Sequence, residues 1–397
     1  AFMELLLVCL KAGNRYGSSA TSSSQEERTQ LQPLIASILY TIRDIFPSFQ
    51  QWGFSVPGDR EKFGQKILQI YLEVMNHSYD DPEDSIHILS KSMQNTIINS
   101  LLASAPNQTL LGIVATGDKV IQSLFESQAN AESGVGCELS RLVNLSIKVL
   151  DAIIRIFSST TDEDSRLGIE TIIGGAPKGN KPHLLLTIAN YIHHLQSCDL
   201  PRSAVNLLST IASLFPMSML ACFGAEAQAL RDIFLRRLES KTEDILLKIS
   251  IVKFFTSAVE SQPGLIQLLL GVKDIGIVNV NAYVKNPGEK QALTSSEEAS
   301  NESIALLEDN GCLRTILNTL GEMKNVDGSS ALTDSLHVAV VDFLYNLWSH
   351  QRILAVAHLK KQDDFWKDLT SPLFDKTSLI VRKTRLNGCI LRIIASE

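Results

Sequence analysis

The sequence predicts an all-α fold, specifically an α-solenoid of the HEAT or armadillo kind, a superhelix of antiparallel helix pairs. Three observations predict it. Apolar residues recur at helical spacing in runs of about 12–20 residues. Short breaks rich in Pro, Gly or polar residues separate the runs. At least one run is apolar on two faces, as a helix covered from both sides in a stack would be.

Composition sets the first limits on function. The chain has 397 residues, which is more than one compact core usually holds. A net charge of −7 argues against direct nucleic-acid binding. No apolar run reaches the roughly 18 residues of a transmembrane helix. The six cysteines are scattered without a CxxC pair, so a reducing location is expected, without a zinc ribbon or a disulfide framework.

The first part of the chain predicts a series of helices with polar loops between them. The helices are expected at residues 29–46, 61–77, 83–104, 109–128 and 137–157. A mobile Ser-rich loop is expected at 12–28, and exposed loops at 158–165 and 174–182. The chain opens inside the apolar run "AFMELLLVCL" without an initiator Met and closes on a similar run, so we expect a fragment of a longer protein.

The segment from residue 184 to 270 is the most regular part of the sequence. Four apolar runs follow one another there, and "SKTE" (Ser240 to Glu243) has the spacing of a capping box. This motif predicts that one helix ends near Leu238 and that another covers residues 242–261.

The helix expected at 242–261 defines both a layer and a corner. Besides its main stripe it carries further apolar residues, including Phe254 and Phe255, which predicts an inner-layer helix. After it, Pro263 disfavours helical geometry at Gln262, and Gly264 can adopt the backbone conformations of a turn. We therefore interpret Gln262-Pro263-Gly264 as a corner between two helices.

The last part of the chain predicts helices at 302–321, 333–348 and 379–394. A long loop or insertion is expected at 271–301, where "IVNVNAYV" (277–284) alternates like a short strand. Taken together, residues 1–397 are expected to form a single continuous solenoid segment. The sequence has no fixed-period repeat signature, so the repeat is expected to be structural only.

Motifs for chemistry are weak. "GGAPKGN" (174–180) lacks the Gly-Lys-Ser/Thr ending of a phosphate loop and is interpreted as a plain loop. In "HHLQSC", His194 and Cys198 are four residues apart on one predicted helix face, yet a zinc site needs three or four ligands. His193 and His194 are expected to be partly exposed helix residues. With no G-x-S-x-G motif, we expect no enzyme activity, cofactor, metal or small-molecule substrate.

Two groups of residues are candidate functional positions. Phe365 and Trp366 lie together in "FWKDLTSPLF", where they could anchor a partner or fill a gap between helices. The residues Ser158, Ser159, Thr160 and Thr161 precede acidic residues in a predicted loop. A phosphate there would add repulsion and loosen the neighbouring packing, which makes them candidate phosphorylation sites.

Several phrases carry a family resemblance. "FPMSMLACFGAEAQALRDIFLRRLESKTEDILLKISIVKFFTSAVESQPGLIQLLL", then "LWSHQR" and "FWKDLTSPLF", resemble the central part of the large inner-ring scaffold nucleoporins of the nuclear pore complex, of the 188-kilodalton type. The resemblance is strongest over residues 201–374, and "ESQPGLI" and "FWKDLTSPLF" are its most specific phrases.

The resemblance implies a superhelical α-solenoid with a structural role at the nuclear pore complex, in the nuclear envelope. It implies support of nucleocytoplasmic transport, including protein import and mRNA transport, without catalysis. The implied partners are other nucleoporins, namely a linker nucleoporin and the coiled-coil channel nucleoporins. The family's docking site for the linker is expected beyond Glu397, which would make this segment a spacer.

Other readings stay open from the residues alone. One is a soluble HEAT-type transport receptor or adaptor, which would be expected to show a more regular repeat. Another is the paralogous, larger inner-ring nucleoporin. The third is a helical-repeat enzyme regulator or hydrolase, for which a convergent His, Asp and Ser set is missing from the motifs.

Overall fold

A computed structural model describes the greater part of the chain. The described residues are 2–16, 24–75, 94–127, 134–159, 173, 183–215, 217–274, 305–307, 311–322, 331–350, 353–360, 364–374 and 380–396. They fall into two compact units, unit 1 (Ala1–Gly224) and unit 2 (Ala225–Glu397). The prediction of one continuous solenoid segment stays a prediction.

Unit 1 is built from helices. They are α1 (Phe2–Tyr16), α2 (Ser24–Tyr40), α3 (Phe46–Ser48), α4 (Asp59–Met75), α5 (Gln94–Leu101), α6 (Ser104–Val114), α7 (Asp118–Glu126), α8 (Val135–Ser159), α9 (Leu184–Asn190), α10 (Asp199–Leu214) and α11 (Met219–Phe223). A π-helical turn, Thr41–Ile45, joins α2 to α3, and 3-10 turns follow α3 at Phe49–Gln51 and α9 at Tyr191–His193.

The longest of these helices, α8, lies at the centre of unit 1. It packs against α4, α6, α7 and α10. Its inward positions repeat at helical spacing and are buried, as at Val143, Ile147 and Leu150. The helix α4 approaches α8 so closely at Gly64 that an added Cβ would lie 2.9 Å from the Leu142 side chain. Close helix packing therefore organises unit 1.

Unit 2 is also mainly helical. Its helices are α12 (Ala227–Glu239), α13 (Ile245–Ser261), α14 (Pro263–Leu270), α15 (Cys312–Glu322), α16 (Ala331–Ser349), α17 (Ile353–Lys360), α18 (Phe365–Phe374) and α19 (Ile380–Ser396). Two short strands, β1 (Val272–Asp274) and β2 (Ala305–Leu307), pair antiparallel, with Val272 opposite Leu307 and Asp274 opposite Ala305.

The core of unit 2 lies along α13 and α16. The helix α13 packs on α16, and α16 packs in turn on α19. Phe234, Phe254, Phe255 and Phe343 form what we call the phenylalanine cluster, with neighbouring ring centroids 5.6–6.4 Å apart. All four rings are buried. The sequence-based expectation that α13 is an inner helix, apolar on more than one face, agrees with this burial.

The corner after α13 lies where the sequence places it, but its turning residue differs. Helix α13 ends at Ser261 and α14 begins at Pro263. Proline suits the first position of a helix, because the backbone N–H that it lacks would have no partner within the helix there. The chain turns at Gln262, with φ −127° and ψ 63°. The prediction that Gly264 supplies the turn is wrong, since Gly264 is helical within α14.

The capping box predicted at Ser240 and Glu243 is also wrong. Helix α13 begins at Ile245, and its N-cap is Asp244, whose carboxylate accepts a hydrogen bond from the Leu246 N–H at 3.2 Å. Ser240 contacts the Thr242 hydroxyl instead, and Glu243 forms an ion pair with Arg237 at 2.6 Å. The Asp244 carboxylate, directly before the first helical residue, thus takes the place that was predicted for the Ser240 hydroxyl.

Three further boundaries differ from the predictions. The helix expected at 302–321 begins only at Cys312, because β2 occupies 305–307. The helix expected at 109–128 is two helices, separated near Gly117, which has φ 85°. Residues 12–16 and 24–28 of the expected Ser-rich loop are helical, while 17–23 lie outside the described residues.

The remaining helices begin and end within a few residues of the predictions, and the all-α fold class is confirmed. The superhelix itself stays a prediction. The expected loop 271–301 includes β1 near its start, and the strand-like segment 277–284 lies outside the described residues, as do residues 83–93 of the helix expected at 83–104.

Candidate functional site

The predicted aromatic pair lies at the start of α18. Phe365 is buried, at 3% exposure, and stacks on Trp348 with ring centroids 5.6 Å apart and planes 6° apart. Trp366 is half-buried and meets both rings edge-on. Phe365 therefore packs inside unit 2, and Trp366 is the member of the pair that keeps some exposure. A partner-anchoring role for the two stays a prediction.

Two of the four candidate phosphorylation sites lie in a described helix. Ser158 and Ser159 belong to the last turn of α8, so the prediction of a loop from residue 158 is wrong for these two. Thr160 and Thr161 lie outside the described residues, as does the "GGAPKGN" loop. Phosphorylation of the four candidate residues stays a prediction.

His194 is the residue whose position departs most from the prediction. It was expected to be a partly exposed helix residue that shares a face with Cys198. Instead the 3-10 turn after α9 ends at His193, and α10 begins at Asp199, so His194 and Cys198 lie between helices. The His194 side chain is buried in unit 1. Its neighbour His193 is exposed, as expected.

Buried His194 contacts two polar side chains from two other helices. Its Nδ1 lies 2.9 Å from Asp118 Oδ1 at the start of α7, and its Nε2 lies 3.2 Å from Ser140 Oγ in α8. In the neutral tautomer with hydrogen on Nδ1, the ring donates to Asp118 and accepts from Ser140. We call Asp118, Ser140 and His194 the histidine joint, because it connects α7, α8 and the turn before α10.

A second contact supports the same region. The Tyr191 hydroxyl donates to the Val114 carbonyl at 2.7 Å and accepts from the Gly117 N–H at 2.9 Å. Burial raises the pKa of this phenol far above its ordinary value, despite the hydrogen bond from Gly117. The phenol therefore stays neutral and fixes the turn between α6 and α7 next to the histidine joint.

The histidine joint has the residue types and the order of contacts of a Ser-His-Asp triad. In hydrolases such a triad needs its serine open to substrate and donors placed for the oxyanion. Here Ser140 is 4% exposed and His194 1% exposed, so a substrate does not reach the Ser140 hydroxyl. The arrangement instead satisfies three buried polar groups at a helix junction, which is a structural role.

Little in the sequence points to this joint. Asp118 lies 76 residues and Ser140 54 residues from His194 along the chain, and no short motif links them. The one local sign is the Gly-Asp pair at Gly117 and Asp118, which fits a turn followed by a helix start.

Two features of the described residues bear on metal binding and on membranes. Among them, no group of three or more His, Cys, Asp or Glu side chains is arranged to hold a metal ion. Within the same ranges no helix is by itself both long and apolar enough to cross a bilayer. One bent pair, Gln94–Leu101 with Ser104–Val114, passes that test only jointly, with 74° between its halves.

An exposed aromatic loop connects α3 to α4. Trp52 and Phe54 are 42% and 36% exposed, and their ring centroids lie 5.5 and 6.1 Å from the ring centroid of Phe63 on α4. The loop therefore rests on its own helix through aromatic contacts, and it was not singled out from the sequence.

Comparison with known proteins connects these features to a family. The family model described as "Nucleoporin Nup188, N-terminal subdomain III" matches residues 6–273. The match includes the first 180 residues, where the sequence showed the resemblance only as a pattern. The description also places the segment in the N-terminal part of the family, whereas the phrases suggested its central part.

Curated relatives agree with the family model. Nucleoporin NUP188 of Xenopus tropicalis is 32% identical over 376 residues, which are 93% of this chain and 20% of that protein. Nucleoporin NUP188 of Homo sapiens is 31% identical over 354 residues, 88% of this chain and 19% of that protein. Nucleoporin Nup188 of Drosophila melanogaster is 25% identical over 379 residues, which are 94% of this chain and 19% of that protein. The chain thus spans about a fifth of the length of these relatives, and it belongs to the Nup188 family of nucleoporins.

Proposed function

We propose that the chain is a non-catalytic scaffold segment of the nuclear pore complex, located at the nuclear envelope, where it supports nucleocytoplasmic transport. One observation carries the proposal: identity of 32% to a nucleoporin extends over 93% of the chain and includes both units. Likeness confined to one helical stretch would support the fold alone, whereas likeness over the whole segment supports a shared role.

The geometry of the described residues is consistent with a scaffold. The one Ser-His-Asp arrangement found among them is closed to substrate, and the most strongly stacked aromatic rings are buried. Residue types that serve chemistry in enzymes contact other helices here. Their observed contacts therefore favour a segment whose work is to keep a shape.

The proposed partners are other nucleoporins, in particular a linker nucleoporin and the coiled-coil channel nucleoporins implied by the resemblance. Because the chain is about a fifth of its relatives, we propose that it acts as a spacer in one continuous helical stack. A spacer binds the linker nucleoporin weakly or not at all.

Trp366 provides the competing proposal, in which this segment holds a partner directly. Of the two predicted anchor residues, Trp366 is the one with exposed ring surface. A pull-down with the full-length protein and the linker nucleoporin distinguishes the two proposals. If Trp366→Ala abolishes tight, saturable binding while the fold is kept, the anchor proposal replaces the spacer.

The phosphorylation proposal concerns the end of α8. Phosphate on Ser158, Ser159, Thr160 or Thr161 would add charge next to Asp162, Glu163 and Asp164 and repel them. Phosphopeptide mass spectrometry on dividing and resting cells tests it. Unmodified peptides in both states would reject it.

Localisation and exchange test the main proposal. The full-length protein carrying a fluorescent tag is expected at the nuclear rim, coincident with a pore marker, and is expected to recover slowly after photobleaching. A soluble transport receptor would recover within seconds and also appear inside the nucleus. Diffuse or fast-exchanging fluorescence would contradict the scaffold proposal.

A further inference from the structure

The loop that connects α3 to α4 presents a run of exposed residues without charge. Residues 51–57, with the sequence QWGFSVP, are all exposed, and none of them is ionisable. Trp52, Phe54 and Val56 are the large apolar members, at 42%, 36% and 53% exposure. We call these three residues the apolar loop tip. Single exposed apolar side chains are ordinary on protein surfaces, whereas three within five consecutive positions form a patch that marks a contact surface.

Helix α4 supports the apolar loop tip from beneath. The rings of Trp52 and Phe54 both contact the half-buried ring of Phe63, so the two rings lie over the same side of α4. Phe63 in turn lies 6.3 Å, between ring centroids, from buried Phe49. The loop enters α4 at Gly58, whose φ of 91° suits glycine. The exposed parts of the two rings are therefore held in place by aromatic contacts that lead back to the core.

The charged residues that follow the loop pair with one another. The Arg60 guanidinium lies 2.7 Å from the Glu61 carboxylate, and the Lys62 ammonium lies 3.6 Å from the Asp59 carboxylate. These two pairs carry no net charge beside a loop that has none of its own. Electrostatic attraction of a strongly acidic or basic partner is therefore weak at this surface.

Two observations favour a lipid surface as the occupant. The indole of Trp52 combines an apolar ring with a polar N–H, the combination that places tryptophan at the boundary between lipid and water. The proposed location of the protein at the nuclear envelope places a bilayer nearby, and the choice of a lipid occupant rests on that proposed function. An uncharged tip suits neutral headgroups, since anionic lipids are recognised by clusters of unpaired Lys and Arg.

We propose that the apolar loop tip is a membrane-contact element, which inserts Trp52, Phe54 and Val56 into the headgroup region of a neutral bilayer. Burial of their exposed apolar surface drives the insertion. The insertion is shallow, because charged residues begin again at Asp59, directly after the loop. The contact attaches unit 1 to a membrane surface without a transmembrane segment.

Vesicle flotation with the purified full-length protein tests the proposal. Vesicles made of phosphatidylcholine alone are expected to carry the protein upward in a density gradient. Absence of flotation on these vesicles would overturn the proposal, as would flotation only on vesicles that contain phosphatidylserine.

A charge placed in the loop tip shows whether the loop makes the contact. Val56→Asp leaves the aromatic contacts in place and is expected to lower the floated fraction about tenfold, because the carboxylate resists insertion. The matched control is Val120→Asp on α7, where the valine is 48% exposed and lies outside the loop. The control is expected to float like the unchanged protein. Hydrogen exchange of the α4 amides, expected to be equal in both variants, shows that the fold is kept. Equal flotation of the two variants would contradict the proposal.

Photo-crosslinking identifies the occupant in isolated nuclear envelopes. A photoreactive amino acid at Val56 is expected to yield lipid adducts, whereas the same amino acid at Leu195, 76% exposed in unit 1, is expected to yield background only. A crosslink from Val56 to a protein in place of lipid would overturn the proposal. Loss of lipid contact together with normal fluorescence at the nuclear rim would reject this inference and leave the proposed function standing. Diffuse fluorescence would instead reject the proposed function.

Discussion

The histidine joint of unit 1 and the phenylalanine cluster of unit 2 solve the same problem by different physics. At the joint, α7, α8 and the turn before α10 meet through His194, at 2.9 Å from Asp118 and 3.2 Å from Ser140. At the cluster, rings from α12, α13 and α16 pack together without a polar contact between them. Both regions are buried, and both fix the relative positions of helices that are distant in sequence.

The two regions differ in how a substitution destabilises them. Ring packing is broad and depends on volume, so its loss costs free energy in proportion to the cavity left behind. Hydrogen bonds at the joint are directional, and the loss of one partner leaves the other buried and unsatisfied. In this chain, helices are therefore held by the packing of side-chain volume in one region and by hydrogen-bond geometry in the other.

The largest expected effect is at the cluster. Phe254→Ala should lower the free energy of unfolding by about 3–5 kcal/mol, because the ring contacts Phe234 and Phe255 in a fully buried site. Native-state hydrogen exchange of the α13 amides measures it. Phe254→Leu, which keeps part of the volume, should cost clearly less. If Phe254→Ala exchanged like the unchanged protein, the inner position of α13 would be refuted.

The next effect breaks the joint. His194→Leu keeps apolar bulk but removes both ring nitrogens, so Asp118 Oδ1 and Ser140 Oγ each lose a buried partner, while Asp118 Oδ2 keeps the hydrogen bond that it accepts from Gln122. The expected cost is about 3 kcal/mol, measured by hydrogen exchange of the α8 amides. The control is His193→Leu at the adjacent, exposed position, which should change stability by less than about 0.5 kcal/mol. Equal destabilisation by the two variants would contradict a stabilising role of the histidine joint.

A smaller effect is expected at Gly311, where two backbone segments approach each other closely. At Gly311 an added Cβ would lie 2.3 Å from the Leu270 carbonyl oxygen, next to Gly271, which ends α14 with φ 71°. Gly311→Ala should therefore destabilise unit 2 by about 1–3 kcal/mol. Gly112→Ala, in α6 with nothing within 4 Å, should instead stabilise by about 0.5–1 kcal/mol. The opposite signs, read by thermal unfolding, would show that close backbone approach also holds unit 2.

The smallest effect is chemical. Burial, as the main cause, raises the pKa of the Cys312 thiol from 9.0 to about 12, so at pH 8 its reactive thiolate is roughly a thousandfold rarer than at an ordinary thiol. Alkylation of Cys312 should be far slower than that of exposed Cys198 and should accelerate as the pH rises. Peptide mapping after timed alkylation measures both. Similar rates would mean that unit 2 opens near Cys312.

The sequence was informative where the determining contacts are local or periodic. Apolar periodicity placed most helices, and Pro263 marked the corner after α13. The helix cap of α13 was predicted wrongly. Asp244 caps the helix in place of Ser240, because several neighbouring side chains can offer similar hydrogen bonds to the backbone.

Contacts between distant segments could not be predicted. The pairing of β1 with β2 joins segments about 30 residues apart, and β2 lay in a predicted helix. The histidine joint joins three segments, so each of its residues looks ordinary alone, and His194 was expected at the surface. Burial of a polar side chain depends on partners brought by the fold, which no spacing in one helix reveals.

A double-mutant cycle on Asp118 and His194 tests most directly whether the buried polar residues of unit 1 hold its helices together. Asp118→Leu, His194→Leu and the double variant are compared by hydrogen exchange of the α8 amides. The expected coupling is about 2 kcal/mol, with the double variant less destabilised than the sum of the single ones, because neither partner is then left buried alone. Additive effects, within about 0.5 kcal/mol, would contradict the account.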